Sequence, residues 1–224
     1  MKLTWIFTLL LFAGEMCCAQ QSATQKFNLA SIPYPLTWHN APMEWEVAGN
    51  SFVLIGGKGS RLFNDPQRLS PPADTAPIAL FKPDTHFMFS CKMKVDFRSK
   101  FDAGVLMVYG NSEQWAKLCF EYSPQEEPMV VTVINNVLSD DSNNAILEND
   151  EVYARISGLG NGVYTFHYSL DGKFWHLARY FYLDPVHDLK IGFLSQSPNG
   201  DFCKTVFSEI KYNSNKLKDY RSGE

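Results

Sequence analysis

The chain has 224 residues, 45 % of them hydrophobic, and a formal net charge of −4. That apolar content excludes a disordered chain. The acidic balance, spread along the sequence, excludes the basic patch or stripe a nucleic-acid partner needs. In chain order, the first feature is Lys2 followed by an apolar run over residues 3–12 and then Cys17-Cys18-Ala19-Gln20-Gln21. The run has about ten residues against the ~20 of a membrane-crossing helix, so no transmembrane segment is expected. Small residues at Cys17 and Ala19 suit a signal peptidase, which predicts a signal peptide over residues 1–19 and one exported domain, secreted or periplasmic, over residues 20–224. A lipoprotein anchored at Cys17 or Cys18 is the disfavoured rival, since Glu15 and Met16 suit that processing poorly.

Beyond the leader, strand-like segments recur between Gly, Pro, Asn and Asp clusters, and helical windows are nearly absent. Residues 44–47 and 51–55 read as a hairpin closed by Ala48-Gly49-Asn50. Residues 56–83 are irregular and proline-rich, and read as a long surface loop over one end of the protein. Their Gly56-Gly57-Lys58-Gly59 lacks the ending of a phosphate loop. In residues 86–97 Phe87, Phe89, Cys91, Met93 and Val95 alternate with polar neighbours, as a half-buried strand requires. Residues 102–109 are apolar on both faces and predict a central, doubly covered strand. Further strands are expected over 115–122, 129–134, 162–170, 174–182, 189–195 and 203–212. Asp171-Gly172 is a hairpin signal between the third and fourth of these six. The polar tail after Asn213 is expected to fray. Some ten strands in one chain predict two packed sheets, because one sheet that wide tends to split or curl.

Several segments in order resemble a known family. They are Trp38-His39-Asn40-Ala41-Pro42, Phe101-Asp102-Ala103-Gly104-Val105-Leu106-Met107, Trp115-Ala116-Lys117-Leu118-Cys119-Phe120-Glu121-Tyr122, Val130-Val131-Thr132-Val133, Tyr168-Ser169-Leu170-Asp171-Gly172 and Ser195-Gln196-Ser197-Pro198. Together they are similar to concanavalin A-like domains of the regulation-of-enolase-like family of unknown function, and in turn to the accessory C-terminal domain of β-xylosidases. The resemblance implies an all-β, two-sheet antiparallel jelly-roll sandwich in a superfamily of lectins and glucanases. Two departures stand out. Ser139-Asp140-Asp141-Ser142 replaces a usual Ser-Asp-Trp-Ser, and Leu62-Phe63-Asn64 replaces an Asp-Phe-Trp-like turn; each removes an aromatic.

Strand parity places Trp115, Lys117, Cys119 and Glu121 on one face of their strand, with Ala116, Leu118, Phe120 and Tyr122 on the core side. By the same parity Trp175 and Arg179 share a face. Aromatic rings flanked by charged hydrogen-bonders suit a sugar, whose C–H face stacks while its hydroxyls take charge-assisted bonds. A ligand-binding groove of Trp115, Lys117, Glu121, Trp175 and Arg179 is therefore expected, competing with a plain solvated face carrying cross-strand ion pairs. No catalytic residue is assigned. The one Glu-x-Asp, Glu148-Asn149-Asp150, sits in a turn-like segment, and Glu121 is paired in sequence with Lys117 rather than a second acid, which favours an ionised carboxylate.

No cofactor and no metal ligand set is expected. Asp140-Asp141 with Asn143-Asn144 offers oxygens to calcium, but such clusters are more often plain turns. Cys91, Cys119 and Cys203 remain after cleavage; core thiols are favoured, with a disulfide between two of them left open. The expected function is a non-catalytic carbohydrate-binding or glycan-associated module with a polysaccharide or glycan partner. The alternatives are a glycoside hydrolase or lyase using Glu121, and a protein-interaction scaffold.

Overall fold

The structure, a computed structural model, describes residues 26–224; the expected signal peptide and its lipoprotein alternative fall outside them. The first strands are β1 (Thr37–His39), β2 (Glu44–Ala48), β3 (Ser51–Gly57), β4 (Leu62–Phe63), β5 (Ala73–Asp74) and β6 (Ile78–Phe81). Next come β7 (Phe87–Asp96), β8 (Ala103–Asn111), β9 (Gln114–Tyr122), β10 (Pro128–Asn136) and β11 (Leu138–Ile146). The chain finishes with β12 (Glu151–Gly160), β13 (Val163–Ser169), β14 (His176–Tyr182), β15 (Lys190–Gln196) and β16 (Phe202–Asn213).

Two seven-stranded sheets form, in the orders β1-β6-β15-β8-β9-β10-β11 and β14-β13-β12-β7-β16-β3-β2, and every pairing within them is antiparallel. The expected all-β antiparallel sandwich is what the chain adopts. Alternation decides which side chains meet. Phe87, Phe89, Cys91, Met93 and Val95 of β7 join Leu118 and Phe120 of β9, Ile156 of β12 and Phe193 of β15 in the core between the sheets. Burying each such Leu, Ile or Phe contributes ~1.5–3 kcal/mol. β8 is buried through Tyr109 on both faces, as its doubly apolar sequence requires.

Four local expectations change. Residues 56–83 are more than an end loop: they supply β6 to the first sheet, and their hairpin β4–β5 folds as a flap across that sheet's outer face. A second apolar cluster results, with Leu62 and Ala76 covering Ala103, Val105, Met107, Trp115, Cys119, Val131 and Val133. Residues 138–146 are the edge strand β11 and not a turn, which sends Asp140 and Asp141 to opposite faces and breaks up the calcium cluster. The Asp171-Gly172 turn is longer than a two-residue hairpin: Gly172 takes φ 71° and β14 begins only at His176.

The tail does not fray. Leu217 is 4 % exposed, Arg155 Nη1 donates to the Gly223 carbonyl, and His167 Nε2 lies 2.9 Å from the Tyr220 carbonyl. Arg155 and His167 face away from the core on β12 and β13, so the tail covers the outer face of the second sheet. Cys91, Cys119 and Cys203 are all free and buried, and burial pushes the Cys119 and Cys203 thiols up to about 12. Neutral, inert thiols are the consequence.

Candidate functional site

The flap leaves part of the first sheet's outer face uncovered. There a pocket of about 350 Å³ is lined by Lys117, Glu121, Val131, Val133, Asp141 and Gln196, with Arg61, Phe63, Phe101 and Asn199 around its mouth. Register explains how the polar groups converge. Lys117 on β9 pairs with Val133 on β10, and Val133 pairs with Asp141 on β11, so Lys117 and Asp141 lie in one row across the sheet. Gln196 on β15 and Glu121 on β9 flank Ala103 of β8 in a second row. The small side chain between them leaves floor space where a larger residue would fill the pocket.

Lys117 is 2 % exposed, and its Nζ donates to the Leu62 carbonyl at 2.7 Å and to Gln196 Oε1 at 3.4 Å. The first bond ties the flap to the sheet. The same ammonium lies 5.3 Å from the centroid of the Trp115 ring. Glu121 differs: among the described residues no group hydrogen-bonds its carboxyl. Burial pushes Glu121 up to about 7, against the pull of the Lys117 charge and with a smaller push from Asp141. Burial raises Asp141 as well, with Lys117 opposing and Asp140 adding. The expectation of an ionised Glu121 with no second acid is therefore corrected. Desolvation outweighs the lysine at Glu121, and a strand unread from sequence brings in Asp141.

Polar anchors hold the flap at both ends. On one side Asp74 receives His39 Nε2 at 2.9 Å, the Tyr109 hydroxyl at 3.1 Å and Asn40 Nδ2 at 3.3 Å. Burial pushes the Asp74 carboxyl up, but the bonds from His39, Tyr109 and Asn40 outweigh it and hold the group below its ordinary value. On the other side Asn64 donates through Nδ2 to the Ser112 and Val137 carbonyls, and its backbone N–H to Ser139 Oγ. The two segments that depart from the resembled family thus meet in space. Leu62-Phe63-Asn64 and Ser139-Asp140-Asp141-Ser142 lie side by side and form part of the pocket wall.

The five sequence-predicted ligand residues do not share one groove. Lys117 and Glu121 line the pocket. Trp115 faces the same way but is fully buried beneath the flap, with Nε1 donating to the Ser112 carbonyl at 3.3 Å, so it braces Lys117 and offers no stacking surface. Trp175 is 9 % exposed on the other sheet, where the Arg155 guanidinium stacks 3.7 Å from its ring centroid. Arg179, on the edge strand β14, pairs with Asp140 of β11 at 2.9 Å and bridges the two sheet edges. The aromatic surfaces at the pocket are instead Phe63 and the 37 %-exposed Phe101. Asp141, Gln196 and Phe101 escaped the sequence reading; for Phe101 the visible signal was an apolar residue among polar loop neighbours.

The fold and this pocket place the chain among jelly-roll β-sandwich proteins. It belongs to the family described as "Protein of unknown function (DUF1349)", which matches residues 38–215. Among solved structures it is similar to a functionally unknown protein from Saccharomyces cerevisiae, with 21 % identity and a TM-score of 0.73 over 80 % of this chain and 96 % of that one. It is also similar to the GH43 protein BlXynB from Bacillus licheniformis, at 12 % identity and TM-score 0.61, covering 81 % of this chain and 37 % of that one. Bacteroides ovatus xyloglucan PUL GH43B gives 12 % identity and TM-score 0.63, covering 87 % and 39 %. The chain spans less than half the length of these GH43 proteins, and identities this low speak to the fold alone. No curated protein matches the chain in sequence.

Proposed function

We propose that the protein is an exported, non-catalytic carbohydrate-binding or glycan-associated module, and that its ligand sits in the flap-bounded pocket. One observation carries this reading: a preformed pocket in which the Glu121 carboxyl has no hydrogen-bond partner among the described residues, beside Asp141 and Gln196, with Phe63 and Phe101 in the lining. Sugar hydroxyls donate to carboxylates in strong charge-assisted bonds, and the exposed ring of Phe101 offers an apolar face for sugar C–H groups. A scaffold domain needs no such pocket. Likeness to folds found in GH43 proteins supports a glycan partner, and the leader sequence supports export. The finer kinship with regulation-of-enolase-like domains is part of the same proposal. A glycan array read with wild type and Glu121→Gln tests it. Wild-type signals that fall about tenfold or more in the variant are expected; an array equally silent for both proteins sinks the reading.

Glu121 and Asp141 also favour a second reading, a glycoside hydrolase or lyase. A carboxyl near 7 is poised to give or take a proton at neutral pH, and a second carboxylate in the same pocket supplies the partner such chemistry requires. Turnover of a reducing-sugar substrate panel by wild type, abolished in Glu121→Gln, would establish it. No turnover by wild type would leave the binding module standing alone.

A further inference from the structure

Resting on the carbohydrate-binding reading, we infer that the pocket takes the end of a glycan chain, or a free mono- or disaccharide, and not an internal stretch of polysaccharide. The walls carry this. A chain lying across the sheet would have to leave over β15, and that route is sealed. Lys58 and Ser60 bridge Ser197, the Gly59 N–H donates to the Ser197 carbonyl at 2.9 Å, and the Ser197 N–H donates to Ser60 Oγ at 2.9 Å.

A chain running along the strands meets the flap. Leu62 is bonded to Lys117, and Asn64 is bonded to the β8–β9 turn at Ser112 and to the β10–β11 turn at Val137. Toward the opposite end stands Phe101, whose carbonyl accepts from Gln196 Nε2 at 3.1 Å. Of the four directions in the plane of the sheet, only the side of the edge strand β11, where Asp141 stands, lacks such a barrier among the described residues. The volume of about 350 Å³ lies near the lower limit of small-molecule pockets, which run from ~300 to 1,000 Å³. Because the flap is bonded at both ends, the blind shape is built in before any ligand arrives, and an extended chain cannot be admitted without breaking those bonds.

The test uses the full mature chain and an array in which each common monosaccharide appears both as a chain terminus and as an internal residue capped by a different sugar. Signals are expected to follow the terminal residue and to disappear on capping. The best terminal sugar is then titrated as its disaccharide and its hexasaccharide against wild type and Glu121→Gln. Affinities for the two lengths within about threefold, both lost in the variant, support end recognition. Binding that survives capping, or that tightens more than tenfold from disaccharide to hexasaccharide, overturns end recognition while leaving the carbohydrate reading intact. Silence on every spot removes both. Binding equal in wild type and Glu121→Gln removes this pocket as the site and the inference with it.

Discussion

The outer faces of the two sheets start from similar material and end in different states. On the first sheet a flap crosses the face and stops short, leaving Glu121 and Asp141 in a pocket with raised protonation ranges and no hydrogen bond to Glu121 from the described residues. On the second, the C-terminal tail comes down on Arg155 and His167 and supplies a backbone carbonyl to each. Burial there lowers Arg155 to about 10 and His167 to about 4. Both faces therefore hold desolvated polar side chains. Arg155 and His167 Nε2 each meet a backbone carbonyl of the tail, whereas Glu121 has a cavity where a partner would fit. A buried polar group costs free energy until it is hydrogen-bonded, so the pocket face is the one that gains from an outside ligand.

The comparison breaks first on the tail. Deleting residues 214–224 removes the buried Leu217 and uncovers Trp175, Arg155 and His167. A loss of about 3 kcal/mol in denaturant unfolding is expected, from one large apolar side chain and the partners of two polar ones. In the shortened chain the His167 imidazole returns toward its ordinary value, readable by NMR titration. The intact protein has its own acid signature. The folded value near 4 lies below the unfolded ~6.5, so the neutral imidazole contributes stability that is lost as pH falls through that window. Sugar binding at the pocket should be unchanged by the deletion. A pocket that fails with the tail would mean the two faces are not independent.

Glu121 gives the next effect, with the opposite sign. Its folded value of about 7 lies above the unfolded ~4.3, so the native state holds the proton more tightly and stability falls as pH rises from near 4.3 through 7. Glu121→Gln, which cannot ionise, should remove that slope and stabilise the protein by about 1–2 kcal/mol at pH 8 relative to wild type. The full shift would give more, but the pocket is open to water on one side. Urea unfolding at pH 5, 6, 7 and 8 checks it; parallel pH profiles for the two proteins would mean that Glu121 is solvated like a surface acid. On the proposed function, the substitution expected to weaken ligand binding thus strengthens the fold, the exchange expected where a polar group is kept for function.

Much of this architecture is legible in the sequence, and what is hidden has physical reasons. Period-two alternation marks β7 plainly, and parity on β9 correctly puts Trp115, Lys117 and Glu121 opposite Ala116, Leu118 and Phe120. The error lay in equating that second face with solvent. Residues 56–83 carry no periodicity, because a flap pinned by Asp74, Asn64 and the Leu62 carbonyl needs few regular hydrogen bonds of its own. Asp141 escaped because β11 is an edge strand with most of its residues at least partly exposed, so Ser139-Asp140-Asp141-Ser142 shows no apolar alternation. β12 carries its own alternation in Val152, Ala154 and Ile156 but lies outside the expected strands. The tail's anchors are backbone carbonyls, which no side-chain pattern reveals.

Arg179 offers the smallest effect and sharpens the boundary of the pocket. It looked like a ligand residue because parity joined it to Trp175, yet it lies on β14 of the second sheet, and its guanidinium is engaged by Asp140. Asp140 and Asp141 are neighbours on β11 with side chains on opposite faces, so the Arg179 contact and the pocket are divided by the strand itself. The Asp140 side chain is 70 % exposed, and a pair of that kind contributes about 0.2–1 kcal/mol. Arg179→Ala should therefore lower stability by less than about 1 kcal/mol, and a cycle with Asp140→Ala should return a coupling of that size. Its sugar affinity should match wild type. A tenfold loss of affinity in Arg179→Ala would show that the ligand reaches over the β11 edge, the one unsealed side of the pocket, and would extend the site to the second sheet.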